Sequence, residues 1–437
     1  MARLTRRSFL TGAGALVGMG GAASIVWLAQ RDLDRAAITT TTGAPRSSST
    51  TTDPTTTTTL PTSSSTAVAP VLPGAHDRVL VVVQLGGGND GLNTLVPTDG
   101  RYHDLRPTLA VADDGLVALP GTEAYGLNPA MAPLLPLLAA GQVAALAGIG
   151  YPHPTRSHFA ALDDWWSGTP GAASTTGWLG RWLDHGGATD PLTAVALGSG
   201  APALVGSHVR PTVVLSPAAF RARGPQGSKL PLTAVGPAIA DTGAAARYRA
   251  AVADAGSAVD TFATLSSAGD DAELGGEGSD GEITSGLATA AHLIAREPTT
   301  RIVQVAVGGF DTHAGQRVEQ DRLLGDLAAG IASFFAALAE GGHDQRVLLV
   351  TVSEFGRRAA ENGSGGSDHG KAGVQFAVGP GVRGGLYGGL DLAHLDDGDV
   401  AAQIDVRSLY TDALTWLGGP VDGVLDRAYD DLSLLRR

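Results

Sequence analysis

The chain predicts an α/β fold, a mostly parallel, doubly wound sheet flanked by helices, and three observations carry that reading. Runs such as 79–85, 301–307 and 347–352 are almost wholly apolar and rich in β-branched residues, as strands buried on both faces are. Stretches of helical period separate them. Each run stops at a loop carrying acids, histidines or hydroxyls, mostly among glycines. In such a sheet the parallel strands end on one edge, and ligands sit outside their carboxyl ends.

The 437 residues carry a formal charge of -13 with no basic stripe in the body, which argues against nucleic acid as a partner. Cysteine is absent, so disulfides, thiolate ligands, cysteine nucleophiles and a cysteine-linked lipid anchor are excluded. Residues 1–30 read as a twin-arginine signal peptide or anchor, with Arg6-Arg7-Ser8-Phe9-Leu10 ahead of a mildly apolar, glycine-rich segment. The expected partner there is the twin-arginine translocase, and the expected location is secreted or cell-envelope associated. Residues 8–30 are uncharged and long enough to span a bilayer, which makes them a candidate membrane tether. Residues 31–74, almost all Thr, Ser, Pro and Ala, have little to bury and read as a disordered spacer. The folded domain is placed at 75–437.

In chain order, strand 79–85 leads into Gly86-Gly87-Gly88-Asn89-Asp90, where glycines allow a tight turn and Asp90 stands at the strand end. The spacing is not that of a dinucleotide fingerprint. A helix capped by Asn128, with Pro129 in its first turn, is expected through 140, and a strand at 143–149. The next loop carries Thr155, Arg156, Ser157 and His158 into a helix at 160–166, whose amino end favours anions and helps an alkoxide form. Ser157 suits a nucleophile and suits an N-cap equally. Trp165, Trp166, Trp178 and Trp182 suit pocket walls or packing. Short strands at 193–197 and 212–215 follow, then an acidic, glycine-rich stretch around 266–282 that reads as a mobile insertion or lid. Helix 284–296 runs into strand 301–307, and Asp311 and His313 stand just beyond it. Helix 318–340 returns the chain to strand 347–352, which ends at Ser353-Glu354-Phe355-Gly356-Arg357. A glycine- and serine-rich loop then delivers Asp368-His369-Gly370. Strands at 374–378 and near 386 and a closing helix at 405–417 with Arg407 and Tyr410 complete the domain.

If the strands are parallel, Asp90, the Thr155–His158 loop, Asp311, His313, Glu354, Asp368 and His369 gather on one edge. So many acids and imidazoles together repel unless a cation holds them. Their oxygen and nitrogen donors suit one or two divalent ions, with zinc, manganese and calcium as the candidates. An iron or manganese oxidoreductase lacks a two-histidine, one-carboxylate spacing here.

The twin-arginine start, GGGNDGLNT, PTRSHFAALDDWWSG, GGFDTHAGQ and SEFGRRAAENGSGGSDHG closely resemble the bacterial family known as domain of unknown function 1501. That family is grouped with alkaline phosphatase- and sulfatase-like hydrolases. The resemblance implies their α/β sheet, a one- or two-metal site and a Ser, Thr or modified Cys nucleophile. It makes Asp90, Asp311, His313, Asp368 and His369 metal ligands, with Glu354 an alternative at the SEFG strand end. It makes Ser157 the nucleophile and Thr155 the alternative, with Arg156 or Arg357 holding the anion. The resemblance therefore implies a metal-dependent hydrolase of phosphate or sulfate esters, acting on a small-molecule or envelope ester. The other reading is a non-catalytic envelope scaffold or binding protein that keeps the fold.

Overall fold

A computed structural model describes residues 75–198, 200–214 and 281–436, all within the unit Val71–Arg437. The expected signal segment and spacer, and the expected insertion as far as residue 280, lie outside the described residues.

Twelve strands are described: β1 (Val79–Leu85), β2 (Leu95–Pro97), β3 (Val117–Ala118), β4 (Tyr125–Leu127), β5 (Val143–Gly150), β6 (Ala194–Leu197), β7 (Thr212–Val214), β8 (Ile302–Val307), β9 (Val347–Val352), β10 (Gly373–Val378), β11 (Gly385–Gly388) and β12 (Ile404–Asp405). The longer helices are α1 (His158–Ser167), α2 (Trp178–Gly186), α3 (Glu282–Arg296), α4 (Gln316–Glu340) and α5 (Val406–Trp416). Strands β2, β4 and β3 make a small antiparallel sheet. The other nine form one sheet in the order β11-β5-β10-β9-β1-β8-β6-β7, with β12 on β5.

Every pairing in the main sheet is parallel except those of β10 with β5 and with β9. Two antiparallel steps in succession restore the direction, so β5 runs with β1, β8 and β9. The loops after β1, β5, β8 and β9 therefore leave from the same edge. Because β10 runs the other way, the loop joining β9 to β10 also lies there, and that loop carries Asp368 and His369.

Side chains of β1 alternate between the two cores, as a pleated strand demands. Val79, Val81, Val83 and Leu85 pack with α3 and α4 residues such as Leu287, Leu324 and Phe334. Leu80 and Val82 face Trp165, Trp178 and Tyr410 on the other side. Burial on both faces is why the run reads as continuously apolar. One expectation changes. The single helix expected over 128–140 is a 3-10 helix, Pro129–Leu134, followed by a short α-helix, Leu135–Ala139. Pro133 and Pro136 lack the N–H groups that continuous α-helical bonding needs, while Asn128 caps the start by accepting from Ala130 N.

Candidate metal centre

Glycine brings the strand-end loops into contact. Gly87 holds φ +118, and a Cβ there would lie 2.3 Å from Asp311 N, so the β1 and β8 loops touch only because position 87 is bare. Arg357 then ties three loops together from a buried position. It donates to Gly88 O at 2.7 Å, Ser367 O at 2.8 Å, Phe310 O at 2.9 Å and Asp311 Oδ1 at 2.8 Å, and to Gly87 O as well. Its N–H groups are spent inside the protein, so Arg357 does not reach out as an anion clamp, contrary to expectation.

Around Asp311 stand three imidazoles. His158 Nε2 lies 3.4 Å from Asp311 Oδ2. His369 Nε2 and His313 Nε2 each lie 3.0 Å from Asp311 Oδ1, and 2.8 Å from each other. The other nitrogen of each ring meets an oxygen. His158 Nδ1 is 2.9 Å from Glu354 Oε1, His369 Nδ1 is 2.9 Å from Arg156 O, and His313 Nδ1 is 3.1 Å from Asp368 Oδ1. A carbonyl or an ionised carboxylate only accepts, so each Nδ1 is the donor of its contact and each Nε2 is left turned toward Asp311. Crowded together, those Nε2 atoms and the carboxylate are stable only with added positive charge, from protons on the rings or from a cation among them. Ligand atoms of His158, Asp311 and His369 all fall within 4.8 Å of one another. Imidazoles whose Nδ1 is held by a carboxylate or carbonyl are the usual arrangement around a bound metal.

The electrostatics of the acids agree. Burial pushes the Asp311 carboxyl up, but bonds to Arg357 and His369 and the charges of Arg357 and His158 outweigh it and hold the group below its ordinary value. Bonds from Asn362 and His313 likewise keep Asp368 low.

Glu354 is buried and accepts from Gly87 N at 2.7 Å as well as from His158, so it orients a ring. Asp90 is not brought to the cluster. Its oxygens accept from Arg106 at 2.5 and 3.0 Å, from Leu92 N at 3.1 Å and from Gln316 Nε2. A buried guanidinium already neutralises it, which leaves no place for the ligand role expected of Asp90.

Ser157 occupies the N-cap position of α1, but its hydroxyl makes no capping bond. Thr155 Oγ1 instead accepts from Ser157 N at 3.2 Å. Ser157 is exposed, sits one residue before His158, and follows Arg156, whose carbonyl holds His369. The first turn of α1 leaves the amides of His158, Phe159 and Ala160 without intrahelical partners. Arg156 is engaged: it pairs with Asp397 at 3.1 Å and with the buried Asp399. Among the tryptophans, Trp165, Trp166 and Trp178 wall a small cavity with Gln84, Gln304, Glu354 and Tyr410, and Trp182 packs in the same core.

Sequence reasoning missed Arg106, Asn362 and Asp399. Arg106 lies in a segment with no motif, and Asp399 sits in Asp396-Asp397-Gly398-Asp399, which reads as a solvated turn.

A mostly parallel α/β sheet with a histidine- and carboxylate-rich cluster at its strand ends defines the class. Residues 232–428 match the family described as a protein of unknown function, DUF1501, the family whose motifs the chain resembles. No curated protein matches the chain by sequence. Similar solved structures include the lipoteichoic acid synthase LtaP from Listeria monocytogenes, 11% identical, covering 83% of this chain and 77% of that one, with a TM-score of 0.39. A protein in the alkaline phosphatase superfamily from Vibrio parahaemolyticus is 8% identical over 83% of this chain and 71% of that one, TM-score 0.39. The PsFucS1 sulfatase from Pseudoalteromonas sp. is 12% identical over 82% and 72%, TM-score 0.37.

Proposed function

We propose that the chain is an exported, metal-dependent hydrolase of phosphate or sulfate esters. The observation that carries the reading is the set of three histidines whose Nδ1 atoms are each held by an oxygen while their Nε2 atoms converge on Asp311. His158, Asp311 and His369, with His313 beside them, would hold one divalent ion. Three imidazoles to one carboxylate suit zinc or manganese better than calcium, which takes oxygen ligands. Such an ion supplies a Lewis acid for the ester oxygens and lowers the pKa of a coordinated hydroxyl.

The chain's own groups supply the rest. The hydroxyl of Ser157, uncapped and exposed, would attack, with Thr155 the alternative. The free amides at the start of α1 would bind the ester's non-bridging oxygens. Glu354, Asp368 and the Arg156 carbonyl fix the three rings. Export by the twin-arginine translocase follows from Arg6-Arg7, and the substrate would be a small-molecule or envelope ester.

The test is metal-stripped protein titrated with zinc, manganese and calcium, then assayed on aryl phosphate monoester, phosphodiester and sulfate substrates. One zinc or manganese ion per chain is expected, lost in His369→Ala and Asp311→Asn. Ser157→Ala should keep the metal and lose roughly a thousandfold or more of turnover. Unchanged turnover in that variant removes Ser157 from the role.

A second reading has one observation in its favour. Arg357 is buried and Arg156 is paired with two carboxylates, so neither named arginine is free to clamp an anion. A binding protein that retains the metal and turns over no ester in the panel is the result that would support it.

A further inference from the structure

Behind His369 lies a turn that the reaction itself does not call for. Residues Asp396, Asp397, Gly398 and Asp399 face three bases from the loops on either side of the cluster. Lys371 Nζ meets Asp396 Oδ2 at 2.6 Å. Arg156 pairs with Asp397 at 3.1 Å and with Asp399 Oδ2, and Arg358 Nε lies 3.9 Å from Asp399 Oδ1. Gly398 O accepts from Ala359 N at 3.2 Å. Lys371 stands two residues after His369, and Arg156 gives His369 its Nδ1 acceptor. Position 398 is glycine because its φ is +77 and a Cβ would lie 2.6 Å from Arg358.

Asp399 is the unusual member. Its side chain is 0% exposed, yet Oδ1 has no hydrogen-bond partner, and Arg156 Nε has none either. A buried carboxylate with one oxygen unsatisfied costs stability, on the order of 1–3 kcal/mol. A turn whose only task was to close the chain would be better served by an apolar or amide residue there.

We infer that Asp399 is a positioning residue for the metal centre: by holding the Arg156 side chain it fixes the Arg156 carbonyl, and through it the orientation and tautomer of His369. This rests on the metal reading of the same site. The chain of contact is Asp399 carboxylate to Arg156 guanidinium, Arg156 carbonyl to His369 Nδ1–H, and His369 Nε2 to the cluster. Outer partners of ligating histidines commonly alter metal affinity by about 10- to 100-fold.

The experiment is a double-mutant cycle in the full chain with zinc as the probe. Asp399→Asn and Arg156→Met should each weaken zinc binding by about 10- to 100-fold, and the double variant should be no weaker than the worse single one. Full additivity, or Asp399→Asn binding zinc as wild type does, overturns the inference while leaving the metal centre standing. The second readout needs no metal: the ring nitrogen resonances of His369 report an Nδ1–H tautomer in metal-free protein and should shift in Asp399→Asn, with those of His103 unmoved. Wild-type protein that binds no zinc overturns the metal reading. An unmoved His369 resonance then rejects the positioning link as well, and a shifted one retains the link without the metal.

Discussion

At Asp90 both carboxylate oxygens are engaged, and neither Asp90 nor Arg106 touches solvent. Arg106 also donates to Asn93 Oδ1 at 2.7 Å and to the carbonyls of Ala359 and Arg358 at 2.9 Å, so it bridges the β1 loop to the segment after β9. Removing one partner of such a pair strands a buried charge, at a cost of about 3–5 kcal/mol. Asp311 is placed differently: its side chain is 45% exposed and it faces three rings. The two acids should therefore fail in opposite ways. Asp90→Asn should lower the urea-unfolding free energy by about 3 kcal/mol and keep zinc stoichiometry, whereas Asp311→Asn should lose zinc with a smaller loss of stability. Zinc lost in Asp90→Asn at temperatures where it is still folded would return Asp90 to the centre. In sequence the two are indistinguishable, since each follows a buried strand and a glycine turn. What separates them is Arg106, whose approach depends on tertiary packing and leaves no local mark.

Elements were legible where burial imposes a pattern. The apolar runs of β1, β8 and β9 announce two-sided burial, and a shared strand direction then places their loops on one edge. The reversed direction of β10 carries no such mark, because Gly373–Val378 is as apolar as its neighbours, yet it is what restores β5 to the common direction. Close approach between elements is also invisible in sequence until the backbone is seen. Helix α2 lies against residues 203–206 so tightly that a Cβ on Gly180 would sit 2.2 Å from Val205 O, and one on Gly177 2.2 Å from Ala203 O. Asp184 of the same helix accepts from His208 N and Val209 N at 2.9 Å, which fixes that loop. Alanine at 180 would gain about 1 kcal/mol of helix propensity. Overpacking against backbone costs about 1–3 kcal/mol or more, and here the obstacle is a carbonyl that cannot rotate away. Gly180→Ala should thus destabilise by about 2 kcal/mol, read as a lower urea midpoint with an unchanged slope. An equal or higher midpoint would mean that α2 and the loop separate at little cost.

Across the domain, the chain's last residues are joined to the sheet through backbone bonds and one buried acid. Arg436 N donates to Gly381 O at 2.8 Å and Arg383 N to Leu434 O at 2.6 Å, so the terminus runs beside the segment after β10. Asp412 of α5 faces this terminal segment from a buried position. Burial raises its carboxyl, the neighbouring Asp431 raises it further, and amide bonds from Leu434 and Leu432 only partly offset this, leaving it at about 8. Unfolded, the same group titrates near ~3.9. Between those values the folded chain keeps a proton that the unfolded chain has released, so the contribution of Asp412 to stability is complete below the lower value. It then falls as pH rises, by about 1.4 kcal/mol per pH unit at most, until the folded group ionises. Asparagine keeps the shape and the amide contacts without ionising. Asp412→Asn should therefore match wild type in unfolding free energy near pH 4, overtake it progressively toward pH 8, and lose that part of the pH slope. Parallel curves for the two proteins across that window would show that Asp412 is ionised in the folded state, and that the terminal segment is held without its proton.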